Sequence, residues 1–187
     1  MQSICKFILF NVLGWKIPND FPSSIDKYII IAAPHTSNWD FPIAVLSKFA
    51  QGQKINFIGK HTLFKPPFGF IFRALGGTPV NRAATKNMVQ SIIDIFDQND
   101  KFIFALSPEG TRKKVSKWKT GFYHVAIGAK VPVVMATLDF ENKEVLINEP
   151  YYVTGDKKID FEYFHNYFKE VKGKNPEQFD PDFHLNI

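Results

Sequence analysis

The sequence predicts an α/β fold: a single domain over residues 1–187, with a mostly parallel or mixed central sheet flanked by helices and a short apolar helix at the N-terminus. Three observations carry this. Short apolar runs rich in β-branched residues alternate with stretches of helical spacing, the pattern of helices covering a sheet. A length of 187 residues suits one domain with a substantial core. Two of the apolar runs break abruptly into polar clusters, and ligands of open α/β sheets bind outside the carboxyl ends of the strands.

Residues 1–15 read as a short, strongly apolar helix with Lys6 and Lys16 along its length and end. Two placements stay open for it: flat at a bilayer interface with Trp15 at headgroup level, or packed on the core of the domain. Pro18 and the Asn19-Asp20 pair end it. Residues 28–33, YIIIAA, form a continuous apolar run suited to a central strand buried on both faces. Pro34 stops that run, His35 to Trp39 make a polar turn, and a helix follows over about 41–50, closed by Gly52. Residues 55–58 make a second strand. Residues 102–106 are β-rich and again end in a Ser-Pro pair, while 131–140 and 144–147 complete the strands. Helical spacing fills 85–97, 121–129 and the tail over 156–171. No internal repeat, low-complexity tract or linker divides the chain.

Composition narrows the classes of function. A hydrophobic fraction of 45% decides against disorder. The 20 phenylalanines either fill the core or line an acyl channel and dip into lipid. A net charge of +5 implies attraction to something anionic: nucleic acid, an acidic membrane surface or a phosphorylated substrate. The basic residues are scattered apart from one cluster of Arg112, Lys113, Lys114, Lys117 and Lys119. With Trp118 beside it, that cluster is either a solvated face or a contact for anionic headgroups or a CoA phosphate. Cys5 is the sole cysteine, so no intrachain disulfide forms and a reducing compartment is expected. No apolar run reaches the roughly 20 residues of a spanning helix, and no small-residue cleavage site follows the apolar start. His61, His124, His165 and His184 lack metal-ligand spacing with Cys or acidic partners, so no metal is expected.

The chemistry-bearing residues gather where strands end. His35 and Asp40 are separated by a turn that enters a helix, which lets their side chains return into contact. A carboxylate on one ring nitrogen fixes the tautomer, leaves the other nitrogen free to take a proton and stabilises the resulting imidazolium. An imidazole, with an ordinary pKa of about 6.5, is matched to removing a hydroxyl proton near neutrality, a contribution of roughly 10²–10⁴-fold. Taken singly, the same pair is also what a helix-capping Asp and a surface His look like. Two further blocks add to it. Gly76-Gly77-Thr78-Pro79-Val80-Asn81-Arg82 is a glycine-hinged turn running into an arginine. Glu109-Gly110-Thr111-Arg112 places a carboxylate, a flexible backbone, a hydroxyl and a guanidinium side by side. Arg82 and Arg112 suit a phosphate held by bidentate charged hydrogen bonds, joined by backbone amides near Gly110.

In these blocks the sequence resembles the glycerolipid acyltransferase family, whose best-known members acylate glycerol-3-phosphate and lysophosphatidic acid. His35 and Asp40 match the His-x4-Asp of its first block, and Gly77 to Arg82 the second. Pro108-Glu109-Gly110-Thr111-Arg112 is similar to the third and Val131-Pro132-Val133-Val134 to the fourth, in the family's order. The resemblance implies that His35 takes the acceptor's proton, that Asp40 orients His35, and that Arg82, Glu109, Gly110, Thr111 and Arg112 shape the acceptor site. It implies direct attack on a thioester carbonyl without an acyl-enzyme. The expected donor is acyl-CoA or acyl carrier protein, with no further cofactor, and the expected acceptor is a lysolipid such as 1-acylglycerol-3-phosphate. The expected partners are these substrates and a membrane surface, not nucleic acid; the place of action is cytoplasmic, peripheral on the inner face of the membrane. The chain departs from the family's usual pattern at Pro34, Ser107 and Lys113. Two other classes remain: a hydrolase using His35 on a thioester or ester, which lacks any G-x-S-x-G element, and a basic module binding anionic lipid or nucleic acid, which leaves the His-Asp pair without a purpose.

Overall fold

A computed structural model describes residues 1–80 and 88–183. Its centre is one six-stranded sheet, built from β1 (Lys27–Ala32), β2 (Ile55–Lys60), β3 (Gly77–Val80), β4 (Phe102–Leu106), β5 (Val133–Asp139) and β6 (Glu144–Ile147). The strand order is β3-β2-β4-β1-β5-β6. All neighbours are parallel except β5 and β6, which pair antiparallel and make the sheet mixed. The central position of β1 explains its composition. Tyr28 and Ile30 pack into one apolar cluster and Ile29 and Ile31 into another, so both faces of the strand are covered and the run shows no polar alternation.

The helices divide between the two faces. α1 (Gln2–Lys6), the wider-wound turn Phe7–Val12 that continues it, and α2 (Asp40–Ala50) lie on the face of Tyr28 and Ile30. α4 (Met88–Gln98), α5 (Gly121–Ala129) and α6 (Lys157–Phe168) cover the other, where Phe96, Phe122, Phe161, Phe164 and Phe168 are buried together. Core filling thus accounts for much of the phenylalanine content. A short 3-10 turn, His61–Phe64, and α3 (Gly69–Ala74) complete the set near β2 and β3.

The strands over 102–106 and 144–147 and the helix over 121–129 coincide with the expected spans, the others shift by a few residues at their ends, and the expected helix start at 85–87 lies outside the described residues. Three of the short elements carry no periodicity legible in the local sequence. α3 and the 3-10 turn are six and four residues long, too short to show helical periodicity. β3 is four residues with a glycine and a proline; its residues read as a turn, and only the resemblance, whose second block has an arginine after a strand, implied it. The N-terminal segment packs on the core along one side. Cys5, Leu9 and Trp15 are buried in the core, whereas Ile4, Phe7, Phe10 and Val12 remain exposed.

Candidate active site

The sheet order brings the two polar clusters together. β1 and β4 are parallel neighbours with Ile31 opposite Leu106, so the chain leaves both strands at one edge of the sheet. From β1 come Pro34 to Asp40, and from β4 come Ser107 to Arg112. A separate cleft of about 490 Å³, lined in part by Asp20, Ile25, Ile147 and Glu149, sits at the opposite edge, where β1 begins and β6 ends.

Asp40 is the first residue of α2, where a carboxylate meets the positive end of the helix dipole. Its Oδ2 accepts three hydrogen bonds of 2.9 Å, from the backbone N–H groups of Thr36 and Ser37 and from His35 Nδ1. The turn is therefore wrapped around the carboxylate, and that wrapping brings residues five positions apart into contact. Since a carboxylate only accepts, Nδ1 is the donor, and in the neutral ring the lone pair then lies on Nε2. The Asp40 side chain is 7% exposed and that of His35 is 30% exposed, so the pair presents a base to solvent and hides its counter-charge. Asp40 Oδ1 is buried with no hydrogen-bond partner among the described residues.

Behind His35 lies Glu109, 5% exposed. Both of its carboxylate oxygens accept from the backbone N–H of His35, at 3.1 and 3.0 Å. Burial pushes its pKa up to about 8, against the lowering effect of the His35 N–H bond and with help from the charge of Asp40. Its carboxylate thus fastens one site loop to the other. Gly110 has φ +66, the left-handed region that favours glycine. Thr111 is half-buried and its Oγ1 accepts from Lys113 N–H at 3.3 Å. The Arg112 side chain is exposed at the end of the loop. Arg82 lies outside the described residues, as does His184.

Two features of the site passed unnoticed in the sequence. Lys48, on the buried side of α2, donates to Ile55 O at 2.6 Å and to Leu75 O at 2.8 Å, bolting the helix that carries Asp40 to β2 and to the turn before β3. Burial lowers its pKa. A lysine two residues before Ala50 on the apolar side of the helix was its only signal. Asn175, far along the chain, bonds Thr36 inside the His35 turn, and nothing in the local sequence marks it. Among the described residues no group of three or more His, Cys, Asp or Glu is arranged to hold a metal.

The fold is similar to that of the crystal structure of the 1-acyl-sn-glycerophosphate (LPA) acyltransferase PlsC from Thermotoga maritima. The match has a TM-score of 0.60 and 20% identity, and covers 89% of this chain and 76% of that one. In sequence, the chain is 26% identical over 148 residues to the 1-acyl-sn-glycerol-3-phosphate acyltransferases of Salmonella typhimurium and Escherichia coli. It is 24% identical over 149 residues to that of Haemophilus influenzae. These alignments take in 75% of this chain, which spans 59–60% of the length of those relatives. The family model described as Acyltransferase matches residues 16–138, a stretch holding β1 to β4, all but the last residue of β5, and both loops of the site. With the His-Asp turn and the Glu109 loop joined at one sheet edge inside that stretch, the chain belongs to the Acyltransferase family.

Proposed function

We propose that the protein transfers a fatty acyl group from an acyl thioester to the hydroxyl of a phosphate-bearing lysolipid such as 1-acylglycerol-3-phosphate. The observation that carries this reading is the 2.9 Å contact between His35 Nδ1 and a buried Asp40, which leaves Nε2 as a proton acceptor at the open side. In the step, Nε2 takes the proton of the acceptor hydroxyl as its oxygen attacks the thioester carbonyl. Collapse of the tetrahedral adduct breaks the C–S bond, and the imidazolium returns the proton to the departing thiolate. Asp40 balances the ring's transient charge throughout. Arg112, with Arg82, is assigned to the acceptor phosphate, which a planar guanidinium grips with two hydrogen bonds.

The donor is an acyl thioester of CoA or of acyl carrier protein, and the reaction proceeds on a membrane surface. In support, no described helix is long and apolar enough to cross a membrane, yet Ile4, Phe7, Phe10 and Val12 form an exposed apolar face on a chain of net charge +5. We place it peripherally on the inner face of the cytoplasmic membrane.

The test is an acceptor screen with purified protein and a fixed acyl thioester, reading lipid products by mass, beside the His35→Ala variant. Wild type is expected to acylate a phosphate-bearing lysolipid, and His35→Ala to lose roughly 10²–10⁴-fold in turnover with an unchanged circular dichroism spectrum. Thioester loss that proceeds equally without acceptor would identify a hydrolase instead.

A further inference from the structure

Beyond the family match at residues 16–138, the chain returns to the site. After α6, residues 172–183 run back across the edge of the sheet where the two loops emerge. Phe140 N–H donates to Lys172 O at 3.1 Å at the start of this strap. At its far end Phe183 stacks on Trp118, with ring centroids 3.6 Å apart, and both are buried. Between these anchors the strap is moulded to the His35 turn. A Cβ on Gly173 would stand 2.7 Å from Thr36 Oγ1 and 3.2 Å from Pro34 Cβ. The Asn175 backbone N–H donates to Thr36 Oγ1 at 3.2 Å, and its side-chain Nδ2 donates to Thr36 O at 2.8 Å. The Gln178 side-chain amide, oriented with its nitrogen toward the carbonyls it faces, donates to Thr36 O at 3.1 Å and also to Arg112 O.

Thr36 follows His35, and its own N–H is one of the three donors to Asp40. Arg112 ends the other loop. One amide therefore ties the backbone that aims the base to the backbone that carries the guanidinium. We propose that Asn175 and Gln178 are positioning residues, which set the spacing between His35 and Arg112 by clamping Thr36 and Arg112 through their carbonyl oxygens. Glu109 joins the same loops from beneath, through the His35 N–H, and the strap joins them from outside. The two ties act on opposite polar groups of neighbouring residues, so the His35 turn is held from both sides. For its effect on rate the proposal rests on the acyltransferase reading.

The variants are Asn175→Ala, Gln178→Ala and the pair combined, with exposed Glu177→Ala on the same strap as control. They leave the Trp118–Phe183 anchor in place, which a truncation would remove together with part of the core. Two measurements separate this proposal from the reading beneath it. Hydrogen exchange followed by mass spectrometry is expected to show faster exchange confined to peptides over 34–40 and 107–113 in the double variant. Steady-state kinetics are expected to show turnover reduced by about 10- to 100-fold, the scale of a displacement of about 1 Å, with KM for the thioester within about twofold of wild type. Unchanged exchange in both loops, or exchange raised across the whole molecule, overturns the proposal whatever the enzyme's activity, as does a loss confined to the thioester KM. If wild type transfers no acyl group, the activity reading fails and exchange alone decides the strap.

Discussion

Glu109 shows how one side chain serves two ends. It must be buried to reach the backbone of His35 from below, and burial beside Asp40 raises its pKa from the ordinary 4.5 to about 8. A raised acid holds its proton in the folded state over a range where the unfolded chain has released it. Folding therefore takes up a proton between about pH 4.5 and 8, and the contribution of Glu109 to stability falls as pH rises through that window. Glu109→Gln keeps an oxygen for the His35 N–H and removes the titration. We expect this variant to show a flatter dependence of Tm on pH than wild type between pH 5 and 8, measured by thermal melts across buffers. Identical slopes would mean that Glu109 is ionised throughout. Glu109→Ala, which leaves the half-buried His35 N–H without its acceptor, is expected to cost about 1 kcal/mol or more.

At the scale of elements, the N-terminal helix is amphipathic in an inverted sense, with the core on one side and further apolar residues on the other. Leu9 is fully buried and Trp15 packs edge-on to Phe140 at 4.9 Å, so deletion of the whole segment would open the core. The membrane reading is better tested on the outer side alone. Phe7 and Val12 are 60% and 63% exposed, and replacing both with Asp leaves the buried Cys5, Leu9 and Trp15 in place. We expect the Phe7→Asp, Val12→Asp variant to keep its melting temperature within a few degrees and to sediment much less with anionic vesicles than wild type. Equal sedimentation of the two would assign vesicle binding to another surface. α2 illustrates the same economy of placement: its first residue accepts from the His35 ring, and Lys48 in its last turn fixes the helix to the backbone of β2 and of the turn before β3.

The whole molecule is held on its second face by a buried acid remote from the site. Asp160, in α6, is fully buried and accepts from the hydroxyls of Tyr123, Tyr151 and Thr154 and from the N–H groups of Thr154 and Gly155. Burial alone would raise its pKa, but these donors outweigh burial and lower it. Its contribution is present above the ordinary value of 3.8 and is lost as pH falls through the lower folded value. The acid ties α5, α6 and the chain at 151–155 into one unit. Asp160→Ala strands several buried donors together, each at a cost of about 1–3 kcal/mol, and we expect it to lower stability by about 2–5 kcal/mol, read by urea denaturation at neutral pH. A change below about 1 kcal/mol would show that water replaces the carboxylate.

Several features were determined by the sequence alone. Because β1 is covered on both faces, its apolar run announced a central strand. Because a strand must end before a polar cluster can gather, the Pro34 and Ser107-Pro108 breaks marked the site edge. The His35–Asp40 contact was readable because it closes within one turn, through hydrogen bonds between near neighbours. Glu109 was legible as a site residue but not in its task, since its partner His35 is 74 residues away and only the adjacency of β1 and β4 brings them together. Lys48, β3 and the strap were decided by tertiary structure. Lys48 looks like a surface lysine until β2 and Leu75 offer their carbonyls, and β3 looks like a turn until β2 pairs with it. Asn175 and Gln178 sit among residues with no pattern of their own, and acquire a purpose only through the carbonyl oxygens of Thr36 and Arg112. Local periodicity records which faces are buried, whereas a backbone carbonyl has the same identity at every position, so its partners cannot be read until the chain has folded.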